Sequence, residues 1–131
     1  LAGRSLELFL DVRPPEQGLG GAHYGDGVCQ FLIRPELPGV KAAIWSPQLP
    51  DAVRSGVAVT GKTQKDGYEV TVNLPWRAFG LRRVPESFGF DLGLNGAFPD
   101  QAKRKTQLML FGTAQNFRSA AGFGRIHTQE K

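Results

Sequence analysis

The sequence predicts an all-β domain, an antiparallel β-sandwich of immunoglobulin-like or jelly-roll-like type, and three observations carry that prediction. Apolar residues recur at every second position in several short runs, which is the period of a strand with one face buried. An Asp-Gly pair, Asp66-Gly67, joins two of these runs as a hairpin turn would. The 131 residues also include 17 Gly and 9 Pro, which punctuate turns and are poor residues for helix interiors. A chain of this length buries roughly two-thirds of its unfolded surface in one core, so residues 1–131 are read as a single domain.

Residues 5–13 place Leu6, Leu8, Leu10 and Val12 on one face and Glu7, Phe9 and Asp11 on the other. The Gly- and Pro-rich stretch 14–27 reads as a long loop, and residues 28–34 as a second strand ended by Pro35. Beyond it the pattern fades, although Ala42 to Trp45 can form a short strand. Residues 57–60 and 67–74 flank the hairpin turn, with Tyr68, Val70, Val72 and Leu74 on one face. Pro75 then opens and Gly80 closes a short helical turn. In 88–95, Phe88, Phe90, Leu92 and Leu94 are expected inward and Gly89, Asp91, Gly93 and Asn95 outward. Residues 106–111 and 123–128 supply the last strands, separated by a polar loop containing Phe117. Leu8, Leu10, Val70, Val72, Phe90 and Leu92 share the inward phase and should face one core.

Composition narrows the function classes. The formal net charge of +4 comes from 16 basic and 12 acidic side chains, and its clusters are Arg82-Arg83 and Lys103-Arg104-Lys105. These read as solvated loops, since a nucleic-acid-binding stripe interleaves more basic residues with stacking aromatics; no nucleic-acid partner is expected. No run approaches the roughly 18 apolar residues of a membrane span. Cys29 is the only cysteine, which excludes an intrachain disulfide and predicts a buried, unreactive thiol. The chain opens without Met, directly into strand-like sequence, and is read as a fragment or processed product, so the lack of a visible signal peptide says nothing about export.

Sites for catalysis are absent from the pattern. His23 stands in a Gly-rich loop and His127 near the end of the chain, neither beside a nucleophile, and no nucleophile elbow, zinc-protease helix, phosphate loop or dinucleotide fingerprint occurs. The chain is therefore read as a binding module and not an enzyme. Glu7 and Asp11 share a strand face, where carboxylates accept hydrogen bonds from sugar hydroxyls or hold a calcium ion; on an edge strand they would be plain solvent-facing charges. Asp91 and Asn95 repeat the arrangement around Gly93, whose missing side chain leaves backbone open to a ligand. Trp45, Trp76, Phe111 and Phe117 are the aromatics able to stack on a sugar ring. Trp76 reads as a core cap, whereas Phe117 lies in a loop, where function concentrates.

Four segments in order, residues 5–11, residues 67–76 ending in Pro75-Trp76, residues 89–95, and Phe117-Arg118 followed by Phe123-Gly124, resemble family 9 carbohydrate-binding modules and their bacterial relatives. The resemblance runs through almost the whole chain, but the family's first strands are missing. It therefore implies a sandwich of which 1–131 is the C-terminal two-thirds, completed by upstream chain. It further implies an exported, extracellular or periplasmic, non-catalytic module, an accessory domain such as a glycoside hydrolase carries, with no cofactor.

In sugar-binding members two tryptophans clamp the ring. Glu7 matches the family's binding glutamate and Phe117 the second stacking tryptophan, while Leu1 falls near the first. Leu32 replaces a sugar-binding arginine, and Gly93 and Ala114 replace amide side chains. The site implied is Glu7 and Phe117 with Asp91, Gly93 and Asn95. Because so much of the clamp is lost, the alternative is a structural or assembly domain whose sandwich contacts another protein domain. A haem-binding branch of the superfamily uses Met and His axial ligands; Met109 with His23 or His127 fits those types, but Met109 alternates with Leu108 and Leu110 and reads as core.

Overall fold

The computed structural model describes residues 5–14, 27–33, 55–96 and 106–129. The candidate strand at 42–45, most of the 14–27 loop, and Leu1, His23 and Lys103 to Lys105 lie outside the described residues. Among the described residues seven strands run in chain order: β1 (Ser5–Asp11), β2 (Val28–Ile33), β3 (Ala58–Gln64), β4 (Gly67–Asn73), β5 (Ser87–Gly96), β6 (Thr106–Met109) and β7 (Gly124–His127). All their pairings are antiparallel. Five of them form one sheet in the order β2-β1-β5-β6, with β7 also on β5, and β3-β4 form a second, two-stranded sheet.

The β3-β4 hairpin stands where Asp66-Gly67 predicts it. Gln64 pairs with Gly67, so the connecting residues are Lys65 and Asp66. Neither Asp66 nor Gly67 has a positive φ, so the turn forms without the left-handed geometry that usually gives Asp-Gly its value. After β4, Trp76–Phe79 make a 3-10 turn, and Gly80 at φ 75° supplies the left-handed position that ends it. Trp76 packs edge-on against Phe88 with ring centroids 5.1 Å apart, as a core cap.

Five of the six residues expected to face one core share a lining, and the half-buried Leu92 is not among them. Leu8, Leu10, Val70, Val72 and Phe90 line one cavity of about 500 Å³ between the sheets, together with Leu74, Trp76, Phe88 and Ile126. Leu10, Cys29 and Phe31 form its buried centre, with Val57 and Phe79 packed against them. Cys29 is a buried free thiol. Desolvation first, and the nearby Asp11 charge second, push its pKa up to about 12.

Two expectations about faces are corrected. β1 is not an edge strand: it pairs with β2 on one side and β5 on the other. Its second face is also covered, with Phe123 packed against Phe9: Phe9 is 1% exposed, and Glu7 and Asp11 are buried beside it. On β5 the residues expected outward, Gly89, Asp91, Gly93 and Asn95, are all buried, whereas Leu94 on the apolar phase is 43% exposed. Both phases of a central strand need cover, and here the polar phase has more of it.

Candidate functional site

Strand register lays out the polar face residue by residue, because directly paired residues of a sheet point to the same side. Ser5 pairs with Asn95 and Asn95 with Gln107; Glu7 pairs with Gly93 and Gly93 with Met109; Phe9 pairs with Asp91; Asp11 pairs with Gly89 and Gly89 with Arg125. Four of the five expected site residues therefore share one face. They divide into two hydrogen-bonded groups.

Glu7 centres the first. Asn95 donates from Nδ2 to Glu7 Oε1 at 2.6 Å and to Ser5 Oγ at 2.9 Å. Gln30 Nε2, from β2, donates to Glu7 Oε2 at 3.1 Å. A carboxylate that is 6% exposed needs such donors, since burying it unpaired would cost several kcal/mol. Gly93 lies beside this group, but it does not leave open backbone as expected. The Met109 sulfur sits 3.0 Å from where a Cβ would stand, so the thioether fills the gap and glycine is what permits its approach. Met109 thus faces the side opposite Leu108 and Leu110, which stand exposed and do not join it in a core. His127 pairs with Ser87, six residues along β5 from Gly93, or about 20 Å. That separation is far beyond the span of two axial ligands on one iron.

Asp91 centres the second group and is 0% exposed. Its Oδ1 accepts from the amides of Leu92 at 2.8 Å and Phe111 at 2.9 Å. Its Oδ2 accepts from the Gly112 amide at 2.7 Å and from Asn116 Nδ2 at 2.5 Å. Both oxygens are thereby committed to loop 110–122, which this contact draws onto the polar face. Asn116, buried at 2%, was legible beforehand only as a polar loop residue; its partner is 25 residues away. Phe117 follows it and is 53% exposed, with the Arg118 guanidinium 5.7 Å from its ring centre.

Asp11 belongs to neither group. Arg13 donates to it from its backbone amide and from Nε and Nη2, at 2.7 to 3.1 Å. The hydrogen bonds to Asp11 hold the guanidinium pKa above its ordinary value, outweighing the opposing effect of burial. The expected Glu7-Asp11 pairing as calcium ligands is not assembled, since Asp11 is held by a cation and Glu7 by amides. Among the described residues no group of three or more His, Cys, Asp or Glu side chains converges on a metal position. Likewise, among them no helix is long and apolar enough to cross a membrane. Arg82 and Arg83 are exposed.

A second surface was missed by sequence reasoning. Leu94, Leu108 and Leu110 stand 43%, 67% and 58% exposed on the apolar face of β5 and β6, and Phe111 is exposed beside them, its ring lying over Gly124. The signal for it was the same alternation read as core.

No family model matches the sequence, and no curated protein matches it at a significant level. Solved structures do match. One is a family 9 carbohydrate-binding module from Caldicellulosiruptor kristjanssonii in complex with cellotriose, at TM-score 0.73 and 19% identity, covering 96% of this chain and 57% of that one. Another is a family 9 carbohydrate-binding module from the same organism in complex with glucose, at TM-score 0.76 and 19% identity, covering 99% of this chain and 61% of that one. The chain thus spans about three-fifths of the length of these structures. It has the antiparallel β-sandwich fold of the family 9 carbohydrate-binding modules.

Proposed function

We propose that residues 1–131 act as a non-catalytic carbohydrate-recognition module, exported to the periplasm or cell exterior of a bacterium and serving as an accessory to a carbohydrate-active partner. Phe117 supplies the stacking plane for the apolar face of a sugar ring. Glu7 held by Asn95, and Gly93 beneath the Met109 thioether, support this face from below, and Asp91 lies beneath the loop. The observation that carries this reading is a half-exposed aromatic on a loop anchored to a buried polar face, in a fold whose neighbours hold cellotriose and glucose. A non-catalytic role is supported by the structural neighbours, which are carbohydrate-binding modules.

Calorimetric titration with cellotriose and glucose, backed by a glycan array, tests the reading. Saturable binding that Phe117→Ala abolishes, with the thermal midpoint nearly unchanged, is expected. With one stacking aromatic in place of two, the affinity should be weak, short by about 1 kcal/mol or more. Binding that survives Phe117→Ala unaltered, or unfolding of that variant, refutes the role given to Phe117.

One observation favours a second reading, an assembly domain that contacts another protein. The exposed Leu94, Leu108 and Leu110 form an apolar strip on one sheet face, and such strips mark contact surfaces. On this reading no sugar binds.

A further inference from the structure

We propose that Asp91 is the positioning residue of the Phe117 loop, and that its carboxylate, not the ring's own contacts, sets where Phe117 stands. For its effect on affinity the proposal rests on the sugar reading above; for its effect on the loop it does not.

The geometry ties three pieces of chain to one side chain. Oδ1 holds β5 to the end of β6 through the Leu92 and Phe111 amides. Oδ2 holds the Gly112 amide and the Asn116 side chain, immediately before Phe117. Asn116 then closes its own turn: its amide donates to the Thr113 carbonyl at 3.0 Å, and its Oδ1 accepts from the Thr113 amide at 3.3 Å. Gly112 belongs to the same device, since a Cβ there would collide with Asn116 Oδ1 and stand 2.8 Å from Asp91 Oδ2. The Phe117 ring, by contrast, is half in solvent beside Arg118. Its place is inherited from the backbone at Asn116.

Only a carboxylate satisfies this arrangement. Four donors converge on two oxygens. An asparagine at 91 offers one oxygen and one NH₂, so two donors would meet a donor. A buried donor without an acceptor is costly, and the loop would leave the sheet to find water. A ligand that stacks on a single aromatic has little energy with which to order a loop, so holding the loop in place beforehand decides whether it binds.

The test uses Asp91→Asn, the double variant Asp91→Asn with Asn116→Asp, and Gly112→Ala, which breaks the same contacts without altering the carboxylate. Amide hydrogen exchange is followed at Phe111, Gly112 and Thr113 in the sugar-free protein. Asp91→Asn and Gly112→Ala should each speed exchange at these amides by about tenfold or more while the amides of β1 and the first half of β5 keep their rates. The double variant should recover part of the loss, because it swaps amide and carboxylate and so restores a donor–acceptor pair between positions 91 and 116. Unchanged loop exchange, or acceleration spread evenly over the sheet, overturns the proposal; Gly112→Ala supplies the measurement if Asp91→Asn does not fold. In parallel, cellotriose titration well below each unfolding midpoint should show an affinity loss of about tenfold. If the loop loosens and the affinity holds, the positioning role is overturned. If the unmodified protein binds no sugar, the carbohydrate reading fails, and the exchange data still decide whether Asp91 sets the loop.

Discussion

Phe9 and Leu94 have exchanged the roles that strand phase predicts for them, and truncating each measures the exchange. Phe9 shares its face with Glu7 and Asp11, yet it is 1% exposed and its ring lies 5.7 Å from that of Phe123. Removing a fully buried phenyl ring forfeits its transfer energy and leaves a cavity, for a cost of about 3–5 kcal/mol. Leu94 shares its face with Phe90 and Leu92 but is 43% exposed. Only part of its burial energy is at stake and solvent fills the gap, so Leu94→Ala should cost about 1 kcal/mol or less. Urea unfolding followed by fluorescence and circular dichroism separates the two. With a slope of roughly 2 kcal/mol per M, Phe9→Ala should lower the midpoint by about 1.5–2.5 M and Leu94→Ala by about 0.5 M. Equal losses, or a larger loss at Leu94, would refute the claim that the polar-phase face of β1 and β5 is the better covered one.

Arg13→Ala leaves the buried Asp11 carboxylate without its guanidinium and should cost about 1–3 kcal/mol in the same assay; a change within about 0.5 kcal/mol would mean that solvent replaces the arginine. Cys29 should resist thiol reagents in the native protein at pH 8 and react at once when unfolded, and rapid native labelling would contradict its burial. Its folded pKa of about 12 lies above the ordinary 9.0, so above pH 9 the unfolded chain loses this proton first. Stability should therefore fall between pH 9 and 12 by up to about 1.4 kcal/mol per pH unit, a slope that Cys29→Ala removes if the thiol is its source. Replacing Leu108 and Leu110 together by Lys should reduce dye binding and self-association at high concentration without unfolding the domain; a loss of fold instead would make the strip part of the core.

Much of the fold was legible in the chain because strand formation leaves a local record. Alternation located β1, β4 and β5, Asp66-Gly67 located the hairpin, and Pro75 and Gly80 bounded the turn between β4 and β5. Of the apolar phase, Leu8, Leu10, Val70, Val72 and Phe90 line one cavity as expected and Leu92 does not, since a period of two states which residues share a side and not what each one meets. What a period of two does not state is how well each side is covered. That depends on what packs over each side: Phe123 meets Phe9, and Gly112 and Asn116 are held onto Asp91, and no residue within β1 or β5 records either contact. The candidate site shows the same division. Glu7, Asp91, Gly93, Asn95 and Phe117 could be named from their types and from resemblance. Their roles could not, because the partners that define them stand 20 to 88 residues away, at Phe111 and Asn116 for Asp91 and at Asn95 for Glu7. Hydrogen bonds over such separations exist only after the strands have paired. Tertiary structure therefore decided that Asp91 holds a loop, that Met109 fills the space above Gly93, and that Leu94 and Leu108 face water.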